Sequence, residues 1–415
     1  MRRVAVTGVS LLDPKGGSTL DFFGRILNGE SCISLYQTDD RPRPISSPAL
    51  HYTGFSAEKQ IGKALAGSMD RYSQLGMAAV LDAWSAAGLP TNQDQHNDRW
   101  GVSWGTALGG THAYEHGLKD LWQNGKERLP PMSVVLGMNN ACASHIAIKL
   151  GLGASCLTYS IACASAATAI GEGFNKIRKD EADLMVVGGS DNPLIYGVFR
   201  AWEAMRVLAA GNSDTAATAC RPFDTSRSGL VLGEGAAALI LEDWDHATAR
   251  GAEIICEIAG YGVNCDHKNL VRPDMSGQVK AITMALNEAG LSSTDIGYIN
   301  AHGTATVEGD PIEIAAIREV FGAHADNLPV SATKSIHGHL MGASGAIEAA
   351  ITVLALSHDK LPPTANLVDI DPKCMGVKHI TGSSLTGTTP RAAMSNCFAF
   401  GGSNAVLAFK RNQRE

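Results

Sequence analysis

The chain has 415 residues, enough for two or three domains or for one large domain of two similar halves, because single cores stop growing near ~250 to 300 residues. Apolar residues make up 45% and charged residues only 18%, below the roughly 25% usual for soluble domains, so the chain reads as globular with much surface hidden in an oligomer. A net charge of −7 argues against a chain-wide attraction to nucleic acid or anionic membrane.

Taken in order, MRRVAVTGVSLLDP reads as a strand ending in a Gly turn, its apolar run too short for a secretory signal. Residues 35–60, with several Pro and Ser, are expected to form a surface excursion. Strands are expected in WGVSWG (100–105), CLTYSIA (156–162) and LMVVGG (184–189). The longest uncharged run, Leu150 to Gly171, could span a bilayer by length, yet Gly, Ser, Ala and Thr fill it, which predicts a buried core segment and no membrane span. ASAATAIGEGFNKI, directly after Cys163, and GASGAIEAAITVLALS, after His339, read as helices with small apolar faces. Further strands are expected in AALILE, YINAHG, LPVSAT and AVLAFK. This alternation defines an α/β protein with strands buried on both faces. WGTALGG (104–110) echoes AHGTATVEG (301–309), and LEDWDHATARGAEI shifts character near residue 250, so an internal duplication is expected, with halves at 1–250 and 251–415.

Nine cysteines, at 32, 142, 156, 163, 220, 256, 265, 374 and 397, are odd in number and contain no CxxC pair, which fits a reduced cytoplasmic setting. Cys163 stands where an apolar strand gives way to a helix. A thiol there feels unpaired N–H groups and the positive end of the dipole. The competing reading is that cysteine packs as a small hydrophobe, which is expected of most of the other eight. His302, beside Gly303 at a strand end, can face a cleft. Lys334, His337, His339 and Glu348 share one loop-to-helix stretch. His337 and His339 sit at i and i+2 with no Cys or carboxylate at ligand spacing, so no metal site is expected. In SNCFAFGGSNAVLAF, Gly401 and Gly402 let backbone approach a ligand and present N–H groups, although an ordinary hairpin turn has the same signature.

Together VAVTGVS, IACASA, RPFD, GLVLGEGAAALILE, NAHGTAT, TKSIHGHLMGASGAIE and FAFGGSNA resemble, in family order and over nearly the whole chain, the β-ketoacyl-acyl-carrier-protein synthases of the synthase I/II type. The resemblance implies a thiolase-type fold, two duplicated halves in a five-layered αβαβα core, working as a dimer. It implies a Cys, His, His active site at Cys163, His302 and His339, where thiolases carry a second cysteine and the synthase III type carries His with Asn. By the same resemblance Lys334 supplies active-site electrostatics and Glu348 supports it. The N–H groups of Cys163 and Phe400 form the oxyanion hole, and Phe400 gates the acyl pocket. Thr304 and Thr306 bind the phosphopantetheine arm, and Asp310 and Glu313 are structural acids. Lys126, Arg128 and Arg206 occupy positions where the family docks acyl carrier protein, while the stretch around Lys63 and Arg71 is less basic than the family often is.

The implied reaction is decarboxylative condensation of malonyl carrier protein with an acyl chain held on Cys163, with no cofactor beyond the carrier's phosphopantetheine. The implied partners are acyl carrier protein and a second subunit, either another copy or a chain-length-factor-like protein. Departures from the family include Ala166 and Ala399 where Gly is frequent, Ser228 for Asp, Leu230 for Phe, and Val307 with Glu308. Leu108 and Leu230 are expected to shape the acyl pocket toward a specialised chain, such as a polyketide or polyene intermediate. Two rival functions stay open at this point: a thiol-dependent acyl-thioester hydrolase, and a non-catalytic subunit shaping a partner synthase's pocket.

Overall fold

The structure is a computed structural model that describes residues 1–38, 43–90 and 96–412. Its frame is an eleven-stranded sheet: β1 (Val4–Leu11), β2 (Trp100–Gly105), β3 (Cys156–Tyr159), β4 (Leu184–Asp191), β5 (Gly235–Asp243), β6 (Cys256–Cys265), β7 (Ile296–Asn300), β8 (Pro329–Ser331), β9 (Lys378–His379), β10 (Ala392–Phe398) and β11 (Ser403–Arg411). The spatial order is β9-β8-β7-β10-β11-β6-β1-β5-β4-β2-β3. Read outward from the middle, β1-β5-β4-β2-β3 and β6-β11-β10-β7-β8 are the same arrangement. In each, the first three strands alternate in direction and the last two run parallel to their inner neighbour. The two copies meet edge to edge through antiparallel β1 and β6, with Val4 opposite Ile258 and Val6 opposite Cys256. The echo between WGTALGG and AHGTATVEG falls on the turns after β2 and β7, which hold equivalent places.

Seven helices place the site: α1 (Arg71–Ala86), α2 (Thr111–Trp122), α3 (Ser165–Arg178), α4 (Tyr196–Ala204), α5 (Met275–Ala289), α6 (Gly309–Phe321) and α7 (Ser344–His358). α3 packs on β2 and β4, α7 packs on β5 and β10, and α3 and α7 pack on each other. α1 covers β1 and β5, while α5, backed by α6, covers β6 and β11. The result is the five-layered αβαβα core of the thiolase-type fold. Helices in the middle layer have sheet on two sides, so the first two turns of α3 and nearly all of α7 are buried. In α7 every residue from Ser344 to Leu356 is buried. By length and composition alone Met341–His358 would also cross a membrane, but 89% of it is buried inside the protein.

Two expectations need correction. The stretch 35–60 is not a mere surface excursion, although its residues 39–42 lie outside the described residues. Strands Ser34–Thr38 and Ile45–Leu50 pair with each other, and the second also pairs with Leu232–Gly233. Ile45, Ala49, Leu50 and Tyr52 bury completely or nearly so, Ile45 and Ala49 in a cluster with Leu230 and Leu232, and Leu50 and Tyr52 in the main core. Apart from Leu152, the run Leu150–Gly171 is buried only from Cys163 onward. Its β3 portion is an edge strand of the sheet, with Cys156 and Leu157 exposed.

Close approach of the middle helices depends on small residues. A Cβ on Gly345 would lie 2.6 Å from the Ala167 backbone nitrogen and 2.8 Å from its Cβ. Gly345→Val is therefore expected to destabilise the protein by about 1–3 kcal/mol through overpacking, read as a lower Tm. An unchanged Tm would show that α3 and α7 separate freely.

Candidate active site

The turn between β3 and α3 presents the thiol. Ala162 takes φ 43°, a left-handed value that a residue with a Cβ rarely adopts. Ser165 holds that turn: its hydroxyl donates to the Ala162 carbonyl at 2.7 Å and accepts from the Ile161 N–H at 2.8 Å. Cys163 is thereby set just before the first turn of α3, 5% exposed at the bottom of a cavity of about 420 Å³. Cys397, arriving from β10, donates its thiol to the Cys163 carbonyl at 2.9 Å.

His302 follows β7 and His339 precedes α7, where His339 takes the place in the second half that Cys163 takes before α3 in the first. The Cys163 Sγ and one nitrogen of each imidazole lie within 4.8 Å of one another. The rings of His302 and His339 stand edge to face at 5.5 Å. Their outer hydrogen bonds assign the tautomers. His339 Nδ1 accepts from the Met341 N–H at 3.0 Å, with the Ser344 hydroxyl 2.9 Å away. Its proton is therefore on Nε2. His302 Nδ1 lies 3.1 Å from the Lys334 ammonium, which has no lone pair to offer, so its proton is on Nε2 too. Glu313 fixes the backbone beneath it, accepting from the N–H groups of His302 and Gly303 at 2.8 Å each.

Lys334 is fully buried, and its Nζ also donates to the His302 carbonyl at 2.7 Å and to Glu348. Burial works against its charge, but Glu348 raises its pKa above the ordinary value. Burial, then the Lys334 charge, holds His302 and His339 well below the ordinary histidine range. Burial pushes the Cys163 thiol up to about 11, against the pull of Lys334 and of the Phe400 and Cys163 N–H groups. Those two N–H groups both reach the Cys163 thiol. Two imidazoles that point N–H into the cleft beside a buried ammonium attract an oxyanion and oppose a cation, despite a Cys, His, His set at metal-like spacing.

The other expected residues fall into two groups. Thr304, Thr306, Phe400, Leu230 and Arg206 line the cavity, and the Thr304 and Thr306 hydroxyls lie 3.0 Å apart. Leu108, Lys126 and Arg128 do not line it. Leu108 sits on the turn after β2, where its N–H donates to buried Asp191 at 3.2 Å, and Lys126 pairs with Asp120 at 2.6 Å. Arg71 is not a free surface charge, since it pairs with buried Glu234 at 2.8 Å. Ser344, Cys397, Asp191 and Trp202 were not singled out from the sequence. The first two stand inside motifs that were, at SGAIE and SNCFAF, whereas nothing in the spacing marks Asp191 or Trp202.

The chain belongs to the β-ketoacyl synthase family: residues 1–247 match the family's N-terminal domain and residues 255–368 its C-terminal domain. It is similar to nodulation protein E of Rhizobium sp. (strain N33), 40% identical over 418 residues that cover 99% of both chains. It is also similar to 3-oxoacyl-[acyl-carrier-protein] synthase 2 of Staphylococcus aureus (strain N315), 36% identical over 99% of this chain and 98% of that one. Among solved structures the ishigamide ketosynthase/chain length factor superposes with a TM-score of 0.91 at 29% identity, over 99% of this chain and 100% of that one.

A depressed histidine pKa leaves the neutral imidazole populated until the pH falls through the depressed value. The rate of malonyl decarboxylation is therefore expected to stay flat from pH 8 to pH 6, because neither His302 nor His339 titrates there. A decline centred near 6.5 that disappears in His339→Asn would overturn the neutral assignment.

Proposed function

We propose that the protein extends an acyl chain by two carbons, with Cys163 as nucleophile and His302 and His339 as paired N–H donors. The observation that carries this reading is the pair of Nε2–H groups aimed at one thiol beside the backbone N–H groups of Cys163 and Phe400. In the first half-reaction Cys163 Sγ attacks the thioester of an acyl carrier protein. The two backbone N–H groups stabilise the tetrahedral oxyanion. The carrier's pantetheine sulfur leaves with the proton that Cys163 gives up, and the chain stays on Cys163. In the second, malonyl carrier protein enters along Thr304 and Thr306. Its carboxylate C–C bond breaks, CO2 leaves, and the electron pair becomes an enolate whose oxygen is held by the two imidazole N–H groups. The enolate carbon attacks the Cys163 thioester, the β-ketoacyl chain departs on its carrier, and the Cys163 thiolate takes a proton from water.

The residues need no metal or organic cofactor for these steps beyond the carrier's phosphopantetheine. Lys334 and Glu348 set the electrostatics, Phe400 gates the acyl side and Leu230 shapes it, with Leu108 on a neighbouring turn. Lys126, Arg128 and Arg206 form the basic set for an acidic carrier. We assign a second subunit, a copy or a chain-length-factor-like protein, to the face that exposes Trp122, Val134, Ile148 and Leu157 beside edge strand β3. Residues 1–250 and 251–415 are read as the two repeated halves, and the setting as cytoplasmic. The hydrolase alternative has no use for a second imidazole and a buried ammonium, and a non-catalytic subunit has no use for the intact Cys163.

Intact-mass measurement tests the scheme. Wild type is expected to gain an acyl mass from acyl carrier protein, Cys163→Ala to gain none, and malonyl carrier protein to discharge the mass as a β-ketoacyl product. His339→Ala is expected to keep acylation and to lose about 10²- to 10³-fold in decarboxylation. Discharge as free acid without malonyl donor would mean a hydrolase. Equal labelling of Cys163→Ala would overturn the nucleophile assignment.

A further inference from the structure

One wall of the cavity holds a side chain that the condensation scheme leaves without a task. Trp202, in the last turn of α4, stacks its indole on the Phe400 phenyl, with ring centroids 5.8 Å apart and planes 20° from parallel. Both rings line the cavity that ends at Cys163. The two rings are held in different ways. α4 is tied at its start, where Glu115 accepts from the N–H groups of Tyr196 and Gly197 at 3.1 and 2.7 Å. It is tied again along its length, where Arg200 donates to the carbonyl oxygens of Arg43 and Pro44. Phe400 instead precedes Gly401 and Gly402, at φ 86° and 74°, and a side chain built on Gly401 would meet nothing within 4 Å. The Gly401 N–H is anchored to the carbonyl of Leu270, a residue that is itself 75% exposed. The Gly402 N–H donates to the Ala399 carbonyl at 3.1 Å and the Asp266 N–H to the Gly402 carbonyl at 2.7 Å, so a ring anchored on a helix faces a ring carried on a short glycine turn.

We propose that Trp202 is a positioning residue that latches Phe400, so that an arriving acyl chain must break the indole–phenyl stack to reach Cys163. This deepens the gate role assigned to Phe400 above and rests on it. The latch sets how readily the gate opens, and so how strongly the enzyme discriminates against chains long enough to need it open. An offset aromatic pair of this geometry is worth a factor of about 2 to 10 in such an equilibrium.

The test is a double-mutant cycle on the full-length protein: Trp202→Ala, Phe400→Ala and the double variant, with Trp202→Phe as the conservative control. The readout is the rate at which Cys163 gains mass from octanoyl and from hexadecanoyl carrier protein. Trp202→Ala is expected to speed hexadecanoyl transfer by about 2- to 10-fold and octanoyl transfer by less. Trp202→Phe is expected to restore most of the wild-type discrimination, and Trp202→Ala to change nothing further once Phe400 is alanine. An equal effect with and without the Phe400 phenyl would overturn the latch, as would an unchanged or slower hexadecanoyl transfer in Trp202→Ala. If wild type gains no acyl mass from either donor, it is the condensing reading itself that falls.

Discussion

The site depends on one buried cation. Lys334 has no exposed surface, and its ammonium is satisfied only by Glu348, the His302 carbonyl and His302 Nδ1. A charge taken from water survives only when its neighbours use every proton it offers. Here that requirement does chemical work, because the proton pressed against His302 Nδ1 forces the imidazole to carry its own on Nε2, facing the thiol. Burial depresses His302 and His339, and the same positive charge depresses them further and pulls on the Cys163 thiol. A single desolvated ammonium therefore sets the tautomer of one ring, adds to the burial that keeps both neutral, and biases the nucleophile. Breaking such a pair by removing one partner leaves the other charge buried and alone, at a cost of about 3–5 kcal/mol.

The repeated topology explains how these groups meet. Cys163 stands before α3 and His339 before α7, the two helices that share the middle layer. Two copies of one strand order, joined at β1 and β6, bring these two regions toward each other at the central helix pair. Both turns are strained: Ala162 at φ 43° before the thiol and Met341 at φ 50° after the imidazole are left-handed without being glycine. Strain of this kind persists only where surrounding structure over-determines it. The Ser165 hydroxyl does so at one turn, and the Met341 N–H bond to His339 Nδ1 does so at the other.

Much of this was legible in the sequence, for a physical reason. The motifs that betray the family are turns in which backbone conformation, small neighbours and a chemical group must coincide within a few residues, so Cys163, His302, Lys334, His339, Glu348 and Phe400 could all be named in advance. The expected repeat rested on the turns after β2 and β7, which keep related residues. What was hidden depends on distant segments meeting. Asp191 is an acid at a strand end until folding brings the Ala107, Leu108 and Gly342 N–H groups to it. Trp202 reads as one apolar residue of a short helix until it meets Phe400. The stretch 35–60 misled because Pro and Ser usually mark loops, whereas the apolar residues between them add a strand beside Leu232.

A tension remains between burial and reactivity, and the architecture answers it. A thiol held at about 11 by its apolar surroundings is a poor nucleophile in the resting site, yet the groups that lower it are those that stabilise its product. The Phe400 and Cys163 N–H groups and the Lys334 charge favour negative charge at the bottom of the cavity, whether it sits on sulfur or on the oxyanion that follows. Full exposure would relieve the desolvation and lower the thiol, but it would also admit water to the acyl-enzyme and to the enolate. Near-complete burial of Cys163, with aromatic rings at the cavity wall, limits the water that reaches the thiol and the chain it carries. A raised thiol and protected intermediates then have the same cause, the burial of Cys163 itself.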